Sequence, residues 1–190
     1  MAVVFFSEIH YDNVGVDENE GFEVTGPSGY DLSAWAVLLY RADGTIYTTV
    51  NIPSGTVIPN QLNCWGTYSR PTVLQNGPNQ GLALVNSVGV VVDFVSYEGT
   101  LVATTGSAKN LISHDISVNE TNSALNSSLQ AYSSIYLNDT KSWRPFVPTS
   151  FGFINTGLDV YCGPGPSAVP TPGMLYVFFR SVQFCSVLNF

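Results

Sequence analysis

Apolar residues in this chain come in short runs separated by turn residues, and several runs alternate with period two. Val3 to Tyr11 is predicted as a first strand and Gly21 to Thr25 as a short second one. Leu32 to Tyr40 is predicted as a longer strand, with Trp35, Val37 and Leu39 on its core face. Asp43-Gly44 supplies a tight turn into Thr45 to Val50, which predicts a hairpin. Gly81 to Asn86 and Val90 to Tyr97, joined through Ser87-Val88-Gly89, predict another. Ser128 to Tyr132, Ser142 to Phe146 and Phe151 to Ile154 complete the set. No stretch of the body carries a convincing helical period, and no internal repeat is apparent. Short strands with frequent turns predict an all-β antiparallel sandwich.

The pattern changes near Tyr161, so the sandwich is assigned to residues 1–161. GPGPSAVPTPG falls within a Pro/Gly linker, 162–173, expected to be extended. Residues 174–190 form an apolar tail containing Arg180, Gln183 and Asn189. That tail is short and polar for a membrane span, which takes about 20 apolar residues. Leu175, Phe178, Phe179 and Val182 fit an interfacial helix, which leaves membrane contact open beside a disordered or docked tail.

Composition sharpens this reading. With 190 residues the chain has room for a sizeable core without metals or disulfides. Only 11% of residues are charged, which disfavours long exposed helices, and 45% are hydrophobic, which excludes wholesale disorder. Lys plus Arg number 6 against 14 Asp plus Glu, so a net charge of -8 argues against non-specific binding to nucleic acid or anionic membranes. The three cysteines, Cys64, Cys162 and Cys185, form no CxxC pair, so structural zinc is not indicated. An odd count cannot close into intrachain bridges alone; Cys64 with Cys162 is one possibility that sequence cannot decide. The first residues lack the basic region and long apolar run of a secretory signal, and read as a strand. The expectation is therefore a chain that stays inside, or one whose leader is missing. Sequons at Asn119, Asn126 and Asn138 lie in a Ser/Asn/Thr-rich stretch, which also produces such triplets by chance.

The densest local chemistry is acidic. Glu8, Asp12, Asp17, Glu18, Glu20, Glu23 and Asp31 precede the first cation, Arg41. Asp12, Asn13, Asp17, Glu18 and Glu20 form a candidate calcium loop, since calcium takes six to eight oxygen ligands. It is not an EF-hand, because Val14 and Val16 stand where oxygen ligands belong. The alternative is a solvated acidic loop that keeps a sheet edge soluble. His10 shares a strand face with Glu8, but no nucleophile or oxyanion site accompanies them. His114 adjoins Asp115 on what period two makes the opposite face. GPGPSA formally matches a dinucleotide fingerprint, yet Pro164 and Pro166 remove donors and no helix follows. Neither Lys109 nor Lys141 follows a glycine, so no phosphate loop is present. Trp65 and Trp143 lie in polar surroundings and read as caps on the core, or as exposed contacts for carbohydrate or protein.

Several segments together resemble the lamin tail domain family. SEIHYDN (7–13) and GFEVTGPSGYDLSAWAVLLYRADGTIY (21–47) are similar to its opening. LQNGPNQGLALVNSVGVVVDFVSYEG (74–99) is similar to its middle. SLQAY (128–132), SWRP (142–145) and PTSFGFINTG (148–157) are similar to its closing strands. The likeness is to versions in secreted microbial proteins, since no coiled-coil rod or basic nuclear signal is present. It implies an immunoglobulin-like β-sandwich and a non-catalytic interaction or accessory module, extracellular or at the cell surface. The implied partner is another protein or a neighbouring domain of a longer chain. Because such domains accompany nucleases and phosphatases, the alternative is a fragment or accessory part of a metal-dependent hydrolase.

Overall fold

The computed structural model describes residues 4–121, 123–134, 141–160 and 162. The apolar tail 174–190, most of the Pro/Gly linker, Cys185 and the sequon asparagine Asn138 lie outside the described residues. Among the described residues there is no helix, and eleven strands form two sheets. They are β1 (Phe5–His10), β2 (Gly21–Pro27), β3 (Ala36–Tyr40), β4 (Ile46–Asn51), β5 (Trp65–Pro71), β6 (Gln80–Val85), β7 (Val91–Tyr97), β8 (His114–Asp115), β9 (Ser127–Ser134), β10 (Ser142–Pro148) and β11 (Leu158–Asp159). The first sheet runs β10-β9-β1-β2-β5, with β11 also paired to β9. The second runs β4-β3-β6-β7-β8. Every pairing is antiparallel except β9 with β11 and β7 with β8.

The core lies between the sheets. Phe6, Ile9, Phe22, Val24, Leu129 and Trp143 meet Val37, Leu39, Leu82, Leu84, Val95 and Tyr97 in one buried cluster that also holds Trp35. Phe6 and Ile9 are three residues apart, which strict alternation would place on opposite faces. A β-bulge between Phe6 and Glu8 inserts the extra residue and turns both inward.

Both sheets are covered over part of their outer faces, and β1, in the first, is buried at every position. Outside the second sheet, Leu38, Tyr40, Ala83 and Phe94 pack under Leu101, Ala103 and Ala108. Outside the first sheet lies a polar layer from β1, β2, β5 and β9, covered by a strap, residues 148–160. Phe5 on β1 packs with Leu158 and Val160 of the strap, and a disulfide joins Cys64 to Cys162 just beyond it.

Two strand expectations are corrected, and a strand of 7 residues is added. The longer strand begins at Ala36, because Ala34 takes a left-handed φ of 61° and the Trp35 N–H bonds back to the Leu32 carbonyl, closing a turn. Phe151 to Ile154 is not a strand; the Phe153 N–H donates to the Ser150 carbonyl in a turn and the Phe153 ring is exposed. β5 went unpredicted: WGTYSRP has no clean alternation, yet it pairs with β2 residue for residue from Gly21–Pro71 to Pro27–Trp65. Trp65 accordingly packs beside Phe5, and Trp143 is buried in the main core.

Candidate functional site

The loop after β1 is organised from within. Asn13 is buried; its Oδ1 accepts from the Glu18 N–H at 2.9 Å, and its Nδ2 donates to the Val16 carbonyl at 2.8 Å. Glu20 accepts from the Leu74 N–H at 3.0 Å, and Asp17 accepts from Asn76 Nδ2 at 3.0 Å. Of the five candidate calcium ligands, Asn13, Asp17 and Glu20 therefore tie the loop to itself and to the segment before β6. Burial raises Asp12 above its ordinary value, helped by the negative charges of Asp17 and of Glu98, which arrives from the end of β7. Among the described residues, no three His, Cys, Asp or Glu side chains form a group that could hold a metal.

His10 closes β1 and meets this loop from below. It is 1% exposed, and its Nε2–H donates to the Glu18 carbonyl at 3.1 Å. Nδ1 lies 2.7 Å from Glu120 Oε1 in a fully buried ion pair. Glu120 Oε2 accepts the N–H groups of Tyr11, at 2.5 Å, and Asp12, at 3.1 Å. Burial opposes a charged imidazole, but the hydrogen bond and charge of Glu120 outweigh it and hold His10 above 6.5. Tyr11 completes the node: it stacks on Tyr97 at 3.8 Å, donates to Glu98 at 2.6 Å and accepts from the Glu120 N–H. Glu8 shares the outward face with His10, yet no bond joins them. An open cleft of about 280 Å³ lies beside His10, lined also by Asn19, Asn126, Thr149 and Phe151.

Glu8 and Glu23 stand opposite each other on β1 and β2, both fully buried in the polar layer. Glu8 accepts from Ser128 Oγ at 2.6 Å, Thr149 Oγ1 at 2.9 Å, the Ser150 N–H at 2.8 Å and Ser150 Oγ at 2.8 Å. Glu23 accepts from Ser7 Oγ at 2.8 Å and the Gly152 N–H at 2.7 Å. The two carboxylates thus grip the strap through its backbone. Among the described residues neither has a cationic partner, and burial together with the charge of Glu8 pushes Glu23 up to about 8.

Sequence reasoning missed Glu120, Glu98 and the pairing of Glu8 with Glu23. Glu120 lies 110 residues from His10, and no local spacing signals such a contact. Opposition of Glu8 and Glu23 follows only from the register of β1 against β2. Comparison with protein-family models, curated proteins and solved structures finds no match for this chain.

Proposed function

We propose that this chain is a non-catalytic interaction or accessory module of the lamin tail domain type, with an immunoglobulin-like arrangement of its sandwich, belonging to a secreted or surface protein. The observation that carries this reading is the commitment of His10. It is the histidine nearest the acidic loop, and both of its ring nitrogens are engaged inside the fold, leaving no atom free for a substrate proton. Glu8 and Glu23 are likewise occupied in holding the strap. The Cys64–Cys162 disulfide supports an oxidising compartment, where such bridges persist. The partner is a protein or a neighbouring domain, consistent with the net charge of -8.

The test is an assay of the full chain against DNA, RNA and phosphate esters with divalent cations. No turnover above background is expected. Turnover that disappears on His10→Ala or Asp12→Ala would replace this reading with the metal-dependent hydrolase. Calcium has a reduced place here, because Asn13 and Glu20 are tied into the loop. Melting the full chain in calcium and again in EDTA should give the same midpoint. A rise of several degrees that Asp12→Ala removes would reinstate the loop as a cation site; occupancy at 100 times the dissociation constant adds about 2.7 kcal/mol.

A further inference from the structure

Among the described residues the two sheets end in four edge strands, β10 and β5 in one and β4 and β8 in the other. Exposed edges invite further pairing, and prolines, charges, bulges or shortness discourage it. β10 carries Arg144, Pro145 and Pro148 with a bulge between Arg144 and Val147. β5 ends on Arg70-Pro71, and at its start the Gln61 and Leu62 N–H groups already bond to the Trp65 carbonyl. β8 is two residues long. β4, Ile46–Asn51, contains no charge and no proline, and among the described residues it pairs with β3 alone. Its register shift sits at its first end, so Thr48 to Asn51 run in regular register against Leu39 to Ala36.

Hydrogen-bond alternation says which backbone groups are open. The Ile52 N–H donates to the Trp35 carbonyl. Alternation then turns Val50 and Thr48 toward β3 and the N–H and C=O groups of Thr49 and Asn51 away from it. Those outward groups meet no partner among the described residues. The side chains of Thr48, Thr49 and Asn51 are exposed.

Charge narrows the occupant. Net charge of -8 makes copies of this chain repel, but Gly44 to Ser69 contain no Asp, Glu, Lys or Arg. The open edge lies within this neutral stretch, where a second copy meets the least opposition. We infer that β4 pairs antiparallel with β4 of a second copy about a two-fold axis at Thr49, joining two five-stranded sheets into one. Thr49 then faces its own counterpart and Thr48 faces the counterpart of Val50, so β-branched residues pair and no like charges meet. A ladder this short buries well under the roughly 1,600 Å² of a standard interface, so the dimer is weak and concentration-dependent. The inference rests on the interaction-module reading and names its partner; its failure would leave that reading, which the activity assay tests separately, untouched.

Sedimentation velocity of the full chain across the micromolar range tests it. A monomer–dimer equilibrium is expected. Thr49→Lys and Thr49→Glu each place like charges across the axis and should weaken dimerisation about tenfold or more. Mixing the two variants should restore it as a heterodimer, detected by native mass spectrometry. Thr49 is exposed, and a far-ultraviolet spectrum matching wild type confirms that each variant folds. A chain that stays monomeric throughout, a dimer indifferent to Thr49→Lys, or a mixture that fails to re-associate would each overturn the inference. So would a monomer that takes up only an unrelated extended peptide at this edge.

Discussion

Replacing Glu23 by glutamine is expected to stabilise the protein at alkaline pH and to change little at pH 5. Glu23 is fully buried opposite Glu8, and burial with that neighbouring charge lifts its carboxyl from 4.5 to about 8. A carboxyl raised on folding contributes stability that is fully present below its unfolded value, near 4.5, and lost as pH rises through about 8. Between three and four pH units at about 1.4 kcal/mol each put about 5 kcal/mol at stake. Glutamine carries no charge to desolvate. Its carbonyl can accept the Gly152 N–H, and the Ser7 hydroxyl can rotate to accept from its amide, so both present contacts survive. Urea unfolding of both proteins at pH 5, 7 and 9 measures the effect, provided the denaturant slopes agree. The variant should match wild type at pH 5 and exceed it by about 3–5 kcal/mol at pH 9. A difference that does not grow with pH, or a variant weaker at pH 9, would refute the reasoning.

Other changes probe the remaining supports. His10→Ala should cost about 3 kcal/mol at pH 6 by leaving Glu120 buried without its cation. His10 is raised on folding, so its contribution is full below 6.5 and fades as pH climbs through the folded value; the cost should shrink by pH 9 in the same unfolding experiment. Gly66→Ala should destabilise by more than about 1–3 kcal/mol in a thermal melt, since the added methyl carbon would sit 2.0 Å from the Pro59 carbonyl oxygen. Cys64→Ser should lower stability by about 2–4 kcal/mol, because the bridge spans 98 residues; unchanged urea midpoints would place the strap's hold in Glu8 and Glu23 alone.

The sandwich was legible wherever a strand packs one apolar face against the core. Val37 and Leu39 alternate as such a strand should, and they lie in the main cluster with Trp35, which stands in the turn just before it. The hairpins at Asp43-Gly44 and Ser87-Val88-Gly89 were legible because turn residues announce them locally. β5 was not, because Thr67, Ser69 and Arg70 face a polar layer or solvent, and polarity there reads as loop.

Sequence by itself determined the all-β class, the runs that become β1, β3, β6 and β7, and the acidic loop that joins β1 to β2. These are properties of neighbours along the chain, set by period and turn chemistry. Tertiary structure alone decided that His10 meets Glu120, that Glu8 opposes Glu23 beneath a strap, and that β4 is left at an edge. The first two depend on strand register and on contacts over 110 to 142 residues, and the third on the order of strands in a sheet. None of these leaves a trace in local spacing. A buried carboxylate and an exposed one have the same sequence signature, and only the surroundings built by the fold set their charge and their use.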